Sequence, residues 1–328
     1  MDLQRIPQIF SISNPNEFEA VCLQVFAFQF AQNPVYKSYC ELLNKSPETI
    51  SQSSEIPFLP IEFFKSKKIL STTKKPEALF ESSGTTGSST SKHYISDLNV
   101  YKQSYTDTFS HFFGPIEEYC ILALLPSYLE RKGSSLIFMV DDLVSQSFHP
   151  DSGFYLYNLQ ELQSKLLELE KRATKTLLIG VSFALLDLAE QFPVKLNHTK
   201  IMETGGMKGR RKEMIREELH HELKNAFGVD KIYSEYGMTE LLSQGYSMGH
   251  GIFHSPPWMK ILTRDTEDPL SLQNHGKTGG INVIDLANLY SCSFIATQDL
   301  GKTYADGSFE ILGRFDHSDV RGCNLMVL

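Results

Sequence analysis

No apolar run in the chain approaches the roughly 20 residues that a membrane-spanning helix requires. An excess of basic charge is missing as well. Lys and Arg number 31 against 39 Asp and Glu, a net charge of −8, which counts against nucleic acid or an anionic membrane surface as a broad partner. The opening MDLQRIPQIFSISNPNEF has no basic segment followed by an apolar one, so it does not read as a signal peptide. The five cysteines, Cys22, Cys40, Cys120, Cys292 and Cys323, are scattered and never spaced C-x-x-C. That spacing excludes a zinc ribbon, argues against a disulfide framework, and makes a reducing cytoplasm the expected compartment. Internal repeats and low-complexity tails are absent too.

What remains is an ordinary globular composition: 328 residues, 41% hydrophobic and 21% charged, enough for one large domain or two modest ones. Residues 16–32 carry a helical pattern, with Asn14 and Pro15 as cap and first-turn proline. The segment from there to about 78 is rich in Ser, Pro and Lys around an apolar anchor, IPFLPIEFF. SDLNVYKQSYTDTFSHFF is expected to be a helix capped by Ser96 or Asp97. CILALLPS, KTLLIGV, KIMETGG and DKIYSEYG read as strands. SFALLDLAEQF, with Ser182 as its cap, and the amphipathic MKGRRKEMIREELHHELKNAFG, ended by Gly228, read as helices between them. This alternation over 120–240 predicts a largely parallel sheet. Residues 279–313 switch to short strands with tight turns, which predicts an antiparallel or barrel-like β subdomain.

ESSGTTGSSTSKHY, Glu81 to Tyr94, is the most unusual stretch. It is not a P-loop, because Gly84 and Gly87 are three apart and Lys92 lies five residues beyond the second. Glycines let backbone N–H groups converge on an anion, and Ser and Thr hydroxyls add neutral donors. Composition alone leaves a flexible surface loop equally open.

SSGTTGSSTSKH resembles the phosphate-loop motif of the adenylate-forming enzymes, although Ser-Thr-Ser precedes Lys92 where that family usually has proline. Three further stretches follow in the family's order. YSEYGMTE, Tyr233 to Glu240, resembles the Y-G-x-T-E motif; TQDLG, Thr297 to Gly301, resembles T-x-D-x-G; LGRFDHSDVRG, Leu312 to Gly322, resembles the G-R-x-D-D hinge, with His317 in place of the usual Asp or Lys. ETGGMKG, Glu203 to Gly209, stands where the family has an adenine-contacting loop. The motifs span about three quarters of the chain. Taken singly, each also reads as an ordinary turn or capping residue.

The resemblance implies an α/β fold, that of the large N-terminal domain of adenylate-forming enzymes: parallel-sheet α/β layers plus a C-terminal β subdomain, without the small C-terminal lid domain. The expected organisation is an N-terminal helical and loop region over 1–78, an adenylation core over 79–312, and a truncated hinge and tail over 313–328. It implies ATP and Mg²⁺. Ser82, Ser83, Gly84, Thr85, Thr86, Gly87 and Lys92 would hold the phosphates. Gly205, Gly206, Tyr236, Gly237, Asp299 and Arg314 would hold adenine and ribose. Thr239 would bond the α-phosphate, and Glu240 would hold Mg²⁺, a hard cation that prefers oxygen ligands.

LPSYLERKGSSL, Leu125 to Leu136, and the ending DVRGCNLMVL further resemble the acyl-protein synthetases of the bioluminescence fatty-acid reductase system, the LuxE type. That branch lacks the lid domain and loads the acyl group on its own cysteine. Cys323 would be that thiol, with Arg314 and Arg321 lowering its pKa; an incidental tail cysteine is the plain alternative. The other four cysteines read as structural. The resemblance implies a carboxylic acid substrate, a long fatty acid foremost, and an acyl-CoA reductase or acyltransferase as partner. Its rivals are a CoA ligase resembling phenylacetate-CoA ligase and a non-catalytic nucleotide-binding relative. His250 and His254 are spaced i, i+4 without an evident third ligand, and His220-His221 is expected to face solvent.

Overall fold

The computed structural model describes residues 9–82, 90–126, 133–205, 211 and 214–315. The first helix, α1 (Pro15–Gln32), begins as its sequence requires, with the Asn14 side chain accepting from the Glu17 N–H and proline at the first position. A second helix that the sequence reading missed, α2 (Pro34–Leu42), starts on Asn33 in the same way. The two pack on the core through an aromatic cluster in which Tyr36 stacks on Phe294 at 5.9 Å and Phe26 meets both edge-on. Gln29, fully buried on α1, bonds the carbonyls of Asn288 and Leu289 and both the N–H and the hydroxyl of Ser293. That single side chain satisfies four buried polar groups and pins 288–293 in place.

Strand β1 (Leu59–Pro60) and a short helix α3 (Phe63–Ser66) follow. Next comes a hairpin of β2 (Ala78–Glu81) and β3 (Lys92–Ile95), in which Glu81 faces Lys92. Helix α4 (Leu98–Phe113) is capped by Asp97, whose carboxylate accepts from the Asn99 N–H, and not by Ser96.

From there strands and helices alternate: β4 (Cys120–Leu124), α5 (Ser135–Gln146), β5 (Gly153–Phe154), α6 (Leu159–Lys171), β6 (Thr176–Val181), α7 (Ser182–Gln191), β7 (Thr199–Thr204), α8 (Arg216–Phe227) and β8 (Tyr233–Tyr236). Helices α5 and α6 were not anticipated from sequence. β5, β4, β6, β7 and β8 lie side by side and parallel. β4 and β6 are buried at every residue, because helices cover both faces of a parallel sheet. Gly180 in β6 serves that packing: a Cβ there would come within 2.9 Å of Leu185 on α7.

Ser182 opens α7 without capping it, since its hydroxyl donates to the Gly205 carbonyl instead. α8 ends at Gly228 (φ 63°), a left-handed position that suits glycine. His220 on α8 is buried, contrary to the sequence reading, while His221 is exposed.

Six antiparallel-paired strands complete the fold: β9 (Gly245–Ser247), β10 (Phe253–His254), β11 (Met259–Arg264), β12 (Gly279–Asp285), β13 (Phe294–Thr303) and β14 (Phe309–Arg314), the last lying between β13 and β10. They do not form a separate barrel. Through β9 and β10 they join the parallel strands in one 12-stranded sheet, ordered β11-β12-β13-β14-β10-β9-β8-β7-β6-β4-β5, with β1 on β13. No helix among the described residues is long and apolar enough to cross a membrane.

Candidate functional site

The site gathers where the carboxyl ends of β7 and β8 meet β13 and β14. Alternation along β8 sends Ser234 and Tyr236 to one face of the sheet and Tyr233 and Glu235 to the other. Tyr236 lies against Phe253 and Phe309, ring centroids at 6.1 and 5.7 Å, and its hydroxyl donates to Asp299 Oδ2 at 2.9 Å. Asp299 is buried on β13, and its Oδ1 receives Nε of Arg314 from β14 at 3.1 Å. Arg314 is itself 74% exposed, so its charge faces solvent beside a buried carboxylate. Burial and the neighbouring Asp299 hold the Tyr236 phenol well above its usual range. Three sequence motifs far apart in the chain therefore meet in one bonded junction.

Arg264, almost wholly buried on β11, braces this junction by donating to the Thr297 and Ile281 carbonyls and to Asn282 Oδ1. Thr297 in turn accepts the Asp299 N–H at 3.1 Å. Gly301 is required by close packing, because a Cβ there would lie 2.1 Å from the Glu310 carbonyl oxygen.

On the other face Glu235 is buried, with Thr204 donating to its Oε2 at 2.5 Å. Burial, reinforced by nearby Glu203, raises its carboxyl to about 7. A Cβ on Gly237 would run into Oε1, so a side chain at this position of the YGMTE motif would have to displace the Glu235 carboxyl. The side-chain oxygen of Gln244, buried close to the same glycine, has no hydrogen-bond partner among the described residues.

Beyond Gly237 the chain turns through Thr239 and Glu240. Glu240 is 5% exposed; desolvation raises its carboxyl, and the hydroxyl of Ser91 opposes that shift. Ser91 closes the base of the glycine-serine-threonine segment, its N–H donating to Ser82 Oγ at 2.9 Å and its carbonyl accepting the Ser82 N–H at 3.1 Å. Asp285, buried at the end of β12, anchors the far side of the turn. It accepts the N–H of Leu242 at 2.7 Å, the N–H of Ser243 at 2.9 Å and the Ser243 hydroxyl at 2.6 Å.

The sequence-predicted residues are thus distributed unevenly. Ser82, Tyr236, Gly237, Thr239, Glu240, Asp299 and Arg314 fall at these joined strand ends. Gly205 closes β7 with φ 67°. Lys92 is exposed on β3, level with Glu81. Ser83, Gly84, Thr85, Thr86, Gly87, Gly206 and Cys323 lie outside the described residues, as do Arg131, Lys132, His317 and Arg321. The other four cysteines are buried and unpaired; burial pushes Cys40 to about 12 and Cys120 to about 11, with Cys22 and Cys292 higher still. Such thiols are poor nucleophiles at neutral pH. Among the described residues no three His, Cys, Asp or Glu side chains cluster as a metal site. His93, Ser91, Glu235, Asp285 and Asn288 were missed from sequence. Only a polar residue inside an otherwise apolar strand pattern would have pointed to Glu235.

No protein-family model matches the chain, and no curated protein matches it. Solved structures match in fold. MatB from Rhodopseudomonas palustris with ATP bound is 18% identical, with 73% of this chain and 48% of that one covered at a TM-score of 0.56. An open conformation of 2-hydroxyisobutyryl-CoA ligase in complex with 2-HIB-AMP and CoA is 12% identical, covering 93% and 77% at 0.66. The luciferase-like enzyme of the nonluminescent mealworm Zophobas morio is 14% identical, covering 75% and 59% at 0.52. The chain spans about half the length of the MatB structure. Its fold is the mixed α/β architecture of the large N-terminal domain of adenylate-forming enzymes.

Proposed function

We propose that the protein activates a carboxylic acid, a long fatty acid foremost, with ATP to an acyl adenylate and passes the acyl group to a thiol. A carboxylate oxygen attacks the α-phosphorus, the bond from that phosphorus to the bridging oxygen of the β-phosphate breaks, and pyrophosphate leaves. A thiolate then attacks the acyl carbonyl and expels AMP. Cys323 is the proposed thiol, and a reductase or other acyl acceptor is the proposed recipient.

The Tyr236–Asp299–Arg314 junction carries this reading. A carboxylate accepts two hydrogen bonds at once and so suits the ribose diol, and the exposed guanidinium beside it suits a phosphate or ribose oxygen. The glycine-rich segment based on Ser82 and Ser91 would supply donors to the phosphates, with Lys92 near its end. Tyr236, Gly237, Gly205 and Gly206 would border the adenine. Thr239 would donate to the α-phosphate. Glu240 fits Mg²⁺, because it offers a hard oxygen donor whose ionised form burial disfavours and a cation would restore. Bound there with the phosphates, Mg²⁺ would offset the charge on the polyphosphate.

The test is incubation with labelled fatty acid and Mg-ATP, followed by a denaturing gel and hydroxylamine. The expected result is hydroxylamine-labile label on the wild type and none on Cys323→Ser. Soluble acyl-CoA formed when CoA is supplied would make CoA the acceptor. Absence of carboxylate-dependent pyrophosphate exchange with fatty, aryl and short-chain acids would overturn the adenylation reading.

A further inference from the structure

The strand that leaves the glycine-serine-threonine segment carries a buried histidine. His93 lies on β3 one residue after Lys92, has no solvent exposure, and meets the ring of Phe64 edge-on at 5.7 Å. Its Nδ1 is 2.8 Å from the carbonyl oxygen of Thr239 and its Nε2 is 3.0 Å from Asn288 Oδ1; both oxygens only accept, so the neutral ring, whose charged form burial disfavours, donates to one of them at a time. Asn288 Nδ2 donates to the carbonyl of Glu240 at 2.7 Å. The consecutive carbonyls of Thr239 and Glu240 are therefore met by two adjoining side chains. Asn288 is itself fixed from behind, because its backbone carbonyl receives Gln29 of α1.

The other end of the link is equally constrained. His93 faces Phe80 across the β2–β3 hairpin, and that hairpin is closed at Ser82 and Ser91. Beside the contact of the Ser91 hydroxyl with the Glu240 carboxyl, a second route from the base of the segment to the Thr239–Glu240 turn thus passes through the His93 imidazole. We propose that His93 is a positioning residue: it sets where the Thr239 hydroxyl and the Glu240 carboxyl stand relative to the glycine-serine-threonine segment. This rests on the adenylation reading above for its effect on turnover, though not for the mechanical link itself. A fully buried ring packed edge-on against Phe64 has little room to move, and a turn whose two successive carbonyls meet His93 and Asn288 cannot shift its backbone, and with it the Cα atoms that carry both side chains, without disturbing a buried polar contact.

The test compares His93→Phe, which keeps the ring and the Phe64 contact and removes both polar contacts, with His93→Gln, which keeps one donor. In His93→Phe, hydrogen exchange of the peptide spanning 237–243 is expected to rise at least tenfold while peptides from β6 and β7 keep wild-type rates. Pyrophosphate exchange is expected to show a KM for Mg-ATP raised at least tenfold with the KM for the carboxylate unchanged. His93→Gln should recover part of both. Wild-type exchange at 237–243 in His93→Phe, or an equal rise throughout the sheet, would overturn the proposal. A wild type without pyrophosphate exchange would overturn the adenylation reading alone, and hydrogen exchange would still decide the role of His93.

Discussion

The hydroxyl of Tyr236 donates to Asp299 Oδ2 across 63 residues of sequence, at 2.9 Å and out of reach of bulk solvent. The contact joins the YGMTE and TQDLG motifs directly, so a change at Asp299 is read out at Tyr236. Asp299→Ala leaves a buried phenol without an acceptor, at a cost of about 1–3 kcal/mol in chemical denaturation. On the proposed function it also raises the KM for Mg-ATP about tenfold, the equivalent of about 1.4 kcal/mol. Asp299→Asn keeps an acceptor for Tyr236 and should recover most of the stability without the nucleotide affinity. Recovery of both would remove Asp299 from the ribose site.

On the proposed function, a change at Glu240 separates metal binding from folding. Its carboxyl is buried and disfavours ionisation, so Glu240→Gln should unfold at the wild-type temperature or above it. Pyrophosphate exchange should nonetheless fall about 10²-fold, the usual scale for losing one electrostatic contact at a reacting phosphate. A Mg²⁺ titration of the exchange rate checks this, and an unchanged titration would end the metal assignment.

Glu235 makes stability depend on pH in an unusual direction. Its folded value of about 7 lies above the ordinary glutamate value of 4.5, so the folded protein binds the extra proton. Stability from this group is full below about pH 4.5, falls as pH rises towards 7, and is flat above. The span amounts to about 3 kcal/mol. Glu235→Gln should lack that slope and be more stable than wild type at pH 8, since its amide can still accept from Thr204. Parallel denaturation curves from pH 5 to 8 measure the difference.

Asp285 is an anchor and carries no proposed chemistry. Asp285→Ala strands the N–H groups of Leu242 and Ser243 in the core, and a loss of about 3 kcal/mol or more is expected by urea denaturation. Loss of under 1 kcal/mol would mean that the turn relaxes to find other partners.

Much of the fold was legible in the chain. Continuous apolar runs such as CILAL and TLLIGV are what a strand covered on both faces needs, and both form parallel strands. Asn14-Pro15, Asp97 and Gly228 end or begin helices at the positions their chemistry demands. Helices α2, α5 and α6 were missed because short amphipathic segments bounded by Ser, Asn and Pro look locally like loop. The turn-rich style of 279–313 suggested an antiparallel or barrel-like β subdomain, and its strands do pair antiparallel. Strand pairing through β9 and β10, which no local signal encodes, merged it with the parallel sheet.

The candidate site divides in the same way. Tyr236, Thr239, Glu240, Asp299 and Arg314 were singled out through the resemblance of their stretches, in order, to the motifs of adenylate-forming enzymes, since each stretch taken singly also reads as an ordinary turn or capping residue. That Tyr236 meets Asp299, that burial raises the Glu235 carboxyl to about 7, and that His93 and Asn288 meet two successive carbonyls were decided only by the tertiary structure. Burial and hydrogen-bond partnership arise from residues brought together across as many as 264 positions, and composition and spacing carry no record of which buried polar group answers which.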